Sequence, residues 1–186
     1  NKALLLQHKY NKVLSLFESY YVDKVFAAKI YVFKGLAHLG LRQLNLSAEA
    51  FHDALSLNPN NLDATLGLAQ LKVSMFQYHE AKALVTQVIN TPFPPEKAWF
   101  LNATIEQSIG DINEALASIN RVILSEPDNV DALTLRAILL FELKDYNGAQ
   151  SDALFILTKV PNEPRAKFIQ AAIAIKDNDI ANSDKL

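Results

Sequence analysis

The chain contains no cysteine, which removes disulfides, thiolate metal ligation and thiol catalysis together and leaves the redox compartment open. Neither sign of charge dominates: 18 lysines and arginines stand against 20 aspartates and glutamates, for a formal net charge of −2. That balance supplies no electrostatic footprint for a nucleic-acid backbone or an anionic membrane. No apolar run approaches the roughly 18 residues of a membrane span. No signal peptide follows Asn1. Glycine (5) and proline (7) are scarce, and no alternating apolar stretch of useful length exists, so a loop-rich chain and a sheet protein are both excluded.

What is present is apolar and periodic. Half of the residues are hydrophobic and a fifth charged, as in a folded, soluble chain. Apolar residues recur at helical spacing, as in Leu133, Ala137, Leu140 and in Ile112, Leu116, Ile119, Ile123. The octets LNPNNLDA (from Leu57) and SEPDNVDA (from Ser125) begin 68 residues apart, and Pro161 follows Pro127 by 34. A fixed period of that size marks a repeat array.

Stacked at this period, the side chains sort by size. Gly35, Ala69, Ala103, Ala137 and Ala171 form one small column; Val13, Ser47, Ala81, Ala115 and Ala149 form a second; Ala64, Ala98, Ala132 and Ala166 a third. Bulky columns hold Tyr10, Leu44, Tyr78, Ile112, Tyr146, Ile180 and Tyr20, Ala54, Val88, Val122, Ile156. Two antiparallel helices pack closely only where the crossing residues are small, with large ones filling the flanking grooves. The first small column therefore belongs to the first helix of each hairpin and the second to its partner. Gly110-Asp111, Lys144-Asp145 and Asn178-Asp179 supply the turns within hairpins, with the aspartates placed as N-caps and Asp111/Glu114 spaced as a capping box. Pro59, Pro127 and Pro161 end the second helices, since proline cannot continue them. The octets are corners between hairpins.

On these columns the chain resembles the tetratricopeptide repeat (TPR) family, with the best match from Glu96 to Asn129: Trp99, Ala103, Gly110-Asp111, Ala115, Val122 and Pro127 in register. The resemblance implies an all-α, right-handed solenoid of helical hairpins. The units are the end of a partial one (1–27, with Tyr10, Val13 and Phe17), four complete ones (28–61, 62–95, 96–129, 130–163) and the start of another (164–186). The signal at Pro92, Pro94 and Pro95 has slipped, which predicts a longer or differently bent corner. Both ends fall inside a unit, so a piece of a longer repeat protein is expected. A weaker resemblance is to bacterial cell-envelope TPR proteins, including lipoproteins linked to exopolysaccharide export. The compartment, cytoplasm or bacterial periplasm and envelope, stays open.

The residues carry no chemistry of a recognisable kind. His8, His38, His52 and His79 have no partner at metal-binding spacing, and no HExxH, GxSxG, phosphate loop or GxGxxG occurs. His38 falls on a core-facing helix side, and Asp177 and Asp179 fall at a turn. The sequons at Asn45 and Asn102 read as coincidences, the second on a packed helix. Neither a catalytic residue nor a metal or cofactor is assigned. Two classes remain: a protein-binding scaffold, and an RNA-binding helical array of similar period. The charge balance favours the scaffold and predicts no nucleic-acid partner and no membrane insertion by this segment. A regulatory repeat segment attached to a catalytic domain elsewhere is the further alternative.

In the family, first helices line the concave face. Carried over, this implies a partner-binding groove of Val32, Leu36, Leu66, Gln70, Phe100, Thr104, Gln107, Thr134, Ile138, Phe141 and Phe168, mostly apolar; the alternative is that part of this line is taken up by packing. The clamp by which some relatives hold a chaperone carboxylate keeps only Lys97, with Val32, Leu36, Gly67 and Leu101 at the other places. Lys29, Asp63, Lys97, Asp131 and Arg165 alternate in sign along the first helices and read as an ion-pair ladder. Trp99 is expected to pack within its hairpin, and Phe100 to face the groove. Phe168, Ile169, Ile173 and Ile175 on the last first-helix predict self-association through the C-terminal hairpin.

Overall fold

The computed structural model describes Lys9 and residues 24–183, and of Lys24, Val25 and residues 177–183 the backbone alone. Tyr10, Val13, Phe17, Tyr20 and the side chain of Ile180 therefore lie outside the described residues. The described residues from Lys24 on form nine helices: α1 (Lys24–Gly40), α2 (Leu44–Leu57), α3 (Leu62–Ser74), α4 (Tyr78–Ile89), α5 (Glu96–Ile109), α6 (Ile112–Ser125), α7 (Val130–Glu142), α8 (Tyr146–Lys159) and α9 (Pro164–Ser183). The fold is all-α. The chain divides into two compact units, Asn1–Pro94 and Pro95–Leu186, and the division falls in the proline-rich corner. That corner runs over residues 90–95, whereas the corners at 58–61, 126–129 and 160–163 are each two residues shorter.

The turns within hairpins close in one way throughout. Arg42, Phe76, Gly110 and Lys144, each 34 residues from the next, all adopt positive φ (59°, 60°, 87° and 64°). The N–H of the residue after each donates back across the helix end: Gln43 to His38, Gln77 to Lys72, Asp111 to Glu106 and Asp145 to Leu140, at 2.8–2.9 Å. This left-handed stop satisfies the last carbonyls of the first helix, and only at Gly110 is the residue one that adopts it freely. Asp145 caps α8 by accepting from the Gly148 N–H at 3.0 Å. The capping box expected at Asp111 does not form: α6 starts at Ile112 with no side-chain cap hydrogen bond. The backbone bonds already fix that turn, so the helix does not depend on it. Nor is there a turn at Asn178-Asp179, through which α9 runs as continuous helix.

First helices are capped at a fixed register as well. Asn61 accepts from the Ala64 N–H and Asn129 from the Ala132 N–H, both at 3.0 Å. Glu163 accepts from the Ala166 N–H at 2.8 Å. The capped alanines, with Ala98, are fully buried.

In the first unit, α1 packs on α2, α3 on α4, and α2 against α3. Ser47 donates its hydroxyl to the Gly35 carbonyl at 2.8 Å across the α1–α2 crossing. The core of Val32, Phe51, Ala54, Ala64, Leu68 and Leu71 centres on the fully buried Phe51. A Cβ built on Gly35 would stand 2.5 Å from the Phe51 ring, and one on Gly67 would stand 2.2 Å from it. The ring thus occupies space that two glycines leave vacant.

In the second unit, α5 pairs with α6, α7 with α8, and α9 packs on α8 and α7. Ala103 and Ala115, and then Ala137 and Ala149, sit fully buried. Ala171, the next member of the first small column, is exposed, because no described helix crosses it. Trp99 is half-buried beneath the guanidinium of Arg121, 4.5 Å from its ring centre. Polar pairs enter these hairpins: Asn102 donates to Ser118 at 3.0 Å and Ser118 to Glu106 at 2.7 Å. One repeat later Arg136 holds Asp152 with two hydrogen bonds of 2.6 and 2.7 Å. The same positions in the first unit are Lys34 with Ala50 and Leu68 with Leu84.

Gly67→Ala tests the Phe51 packing. Alanine favours a helix by about 1 kcal/mol over glycine, but overpacking a filled core costs about 1–3 kcal/mol. The expected net result is a lower urea midpoint, recovered in part by Phe51→Leu in the double variant. A higher midpoint for the single variant would mean that the ring moves aside freely.

Candidate functional site

The second unit carries a cavity of about 330 Å³ between α7 and α9. Ile138 and Phe141 line it from α7, and Pro164, Arg165, Phe168, Ile169 and Ala172 from α9. Its surface is wholly apolar, so Arg165 contributes its methylene stem and keeps the guanidinium outside. Phe168 is 74 % exposed at one side, and Ile175, two turns on, is 62 % exposed. Helical geometry explains the division of labour along α9: Ile169 and Ile173 turn onto α8 and are buried, while Phe168, Ala172 and Ile175 share another face. The stretch expected to be uncovered is therefore half core, and Ile169 and Ile173 are removed from it.

The eleven residues expected to form one groove fall four in the first unit and seven in the second. Ile138, Phe141 and Phe168 are brought together at the cavity. Val32, Leu66 and Thr134 are buried, so their side chains are committed to packing; the Thr134 hydroxyl donates to the Val130 carbonyl at 2.6 Å. Phe100 is half-buried against the cluster of Ala103, Ile119 and Val122, where Trp99 also packs. Thr104 donates back to the Phe100 carbonyl at 3.0 Å. Gln107 reaches across from α5 to Glu142 of α7 at 2.9 Å. Leu36 and Gln70, in the first unit, are exposed. Pro164, Arg165 and Ile169 were absent from the expected groove, yet Arg165 stands three residues before Phe168, the spacing that places residues on one helix face.

One rung of the expected charge ladder lies at the cavity mouth. Arg165 Nη2 donates to Asp131 Oδ1 at 2.8 Å, and Arg165 Nε to Glu163 Oε1 at 3.0 Å. The hydrogen bond to Asp131, then that to Glu163, raises the Arg165 pKa. Burial pushes the Glu163 carboxyl up, but the Ala166 N–H and Arg165 outweigh it and hold it below its ordinary 4.5. Among the described residues, no group of histidine and acidic side chains could hold a metal, and no helix is long and apolar enough to cross a membrane.

Two expectations follow for folding. Ile169→Ala should cost about 2–5 kcal/mol by opening a core cavity, and Phe168→Ala no more than about 0.5 kcal/mol, as at exposed sites generally; equal melts would place both residues in one environment. Because Glu163 is depressed in the folded state, its contribution is full above its unfolded value and lost as pH falls through the folded one. Chemical melts stepped downward from pH 7 should show a shallower acid-side loss in Glu163→Gln than in the wild type.

Two segments, residues 28–61 and residues 100–154, match models of the tetratricopeptide repeat. No curated protein matches the chain. Among solved structures, it is similar to the crystal structure of YrrB, described as a TPR protein with an unusual peptide-binding site: TM-score 0.67, 17 % identity, covering 81 % of this chain and 78 % of that one. A chain of the APC/C hetero-tetramer Cut9-Hcn1 aligns with TM-score 0.72 and 17 % identity over 79 % of this chain and 30 % of its own. A tetratricopeptide repeat protein from Parabacteroides merdae aligns with TM-score 0.71 and 18 % identity over 86 % of this chain and 63 % of its own. The chain thus spans less than two thirds of the length of the latter two. Identities this low speak for the fold alone. With helical hairpins at the expected period, two matched segments and these neighbours, the chain is an all-α protein that carries tetratricopeptide repeats over residues 28–61 and 100–154.

Proposed function

We propose that this chain is a non-catalytic scaffold that binds a protein or peptide by seating a bulky apolar side chain between α7 and α9. The observation that carries the reading is the wholly apolar cavity beside the exposed Phe168 and Ile175. Its volume of about 330 Å³ lies at the low end of ligand pockets, which run from about 300 to 1,000 Å³. One or two side chains fill it. Burying one large apolar side chain contributes about 1.5–3 kcal/mol, while micromolar affinity needs about 8 kcal/mol. The anchor therefore sets where a ligand sits, and contacts along the Phe168–Ile175 face must supply the remainder. The chemistry of the cavity specifies a ligand class and not a compartment.

Selection of random peptides displayed on phage, followed by titration of the enriched ones, tests this. Enriched peptides should carry an aromatic or large aliphatic residue, and Phe168→Ala or Ile138→Asp should weaken them about tenfold or more, the equivalent of 1.4 kcal/mol. Peptides indifferent to both substitutions would place recognition elsewhere. Tight, salt-sensitive RNA retention on filters would favour the nucleic-acid class instead. Sedimentation of the ligand-free chain reads whether a second copy occupies the same face.

A further inference from the structure

The residue that caps α9 differs in kind from its counterparts. Asn61 and Asn129 cap α3 and α7 with one carbonyl oxygen each, at 3.0 Å, and two residues after each stands an aspartate, Asp63 or Asp131. At the third such corner both residues change together: Glu163 caps, and Arg165 stands two residues on. A carboxylate has two acceptor oxygens where an amide has one acceptor and two donors. Glu163 uses both: Oε2 takes the Ala166 N–H at 2.8 Å, and Oε1 takes Arg165 Nε at 3.0 Å. An asparagine there could make the first bond but would present an NH2 donor, not an acceptor, in the place of Oε1.

The second bond matters because of where Arg165 runs. Its stem is part of the cavity wall, and the wholly apolar lining requires the guanidinium to be held away from the opening. Two carboxylates hold it. The Asp131 side chain is 68 % exposed and the Glu163 side chain 11 % exposed. Exposed pairs contribute little and exchange readily with water, while a shielded acceptor keeps more of its strength. Released from Glu163, a long and flexible side chain would be free to sweep across the mouth.

We infer that Glu163 is a positioning residue for the cavity: it fixes Arg165 with its stem in the wall and its cation outside, and so keeps the opening clear. This rests on the reading of the cavity as the ligand site. It assigns Glu163 a task separate from capping, and the two tasks come apart in Glu163→Asn, which carries the residue that caps α3 and α7.

The experiment is a double-mutant cycle read by binding of the neutral fluorophore N-phenyl-1-naphthylamine to the whole chain. Wild type, E163N, R165A and E163N/R165A are compared, each also melted, with E163Q alongside as a variant that keeps the side-chain length and F168A as the cavity control. Expected is a cooperative melt for E163N no lower than that of E163Q, with about threefold or more weaker probe binding, and no further effect of E163N on binding once Arg165 is alanine, the non-additivity of residues that act through each other. An equal loss in both backgrounds, or no loss in E163N and E163Q, overturns the inference and leaves Glu163 as a cap alone. Probe binding unchanged in F168A removes the cavity reading itself, whatever Glu163 does.

Discussion

Close approach at a small crossing residue is the constraint on which the rest depends. Where Gly35 meets Ser47, the backbones come near enough for a hydroxyl to bond a helix carbonyl at 2.8 Å. At Ala103 with Ala115 and at Ala137 with Ala149 no solvent reaches the crossing. Helices this close leave little room for large side chains between them, so bulk is displaced into the flanking grooves. The exposed Ala171 shows the converse: the same residue type at the same register is buried only where a partner helix crosses it. Burial at these positions is a property of the pair, not of the residue.

Within that frame the hairpins differ in how they fill the flanks. The first unit spends one aromatic ring on the space left by two glycines. The second places Asn102–Ser118–Glu106 and Arg136–Asp152 at the register where the first has Lys34 with Ala50 and Leu68 with Leu84. Breaking such a partly buried ionic pair is more costly than replacing it whole. Repeats with a common backbone are in this way made unequal by their side chains.

Much of this was legible in the sequence, for a physical reason. Hairpin crossings, turns and corners recur every 34 residues, so each column is sampled several times and size preferences stand out. The cavity was legible only in part. Ile138, Phe141 and Phe168 followed from the family resemblance, which implies that first helices line the groove, but Val32, Leu66 and Thr134 came with them and are buried. A period tells which face a residue lies on; it does not tell how deeply a neighbouring helix covers that face. Nor could it show that Arg165 has two roles, since its stem in the wall and its cation at the mouth are separated within one side chain. The Asp111 box failed as a prediction because spacing signals an opportunity for a hydrogen bond, and the backbone had closed that turn without it.

The placement of Trp99 has a spectroscopic consequence. It is the chain's one tryptophan, half-buried in the second unit under the Arg121 cation. Its emission therefore samples the surroundings of α5 and α6 in the second unit. Circular dichroism, by contrast, counts helices in both. A denaturation curve followed by tryptophan emission is a local record of one half of the molecule, and agreement between the two signals is a measure of cooperativity across the proline-rich corner, not a property that either curve contains by itself.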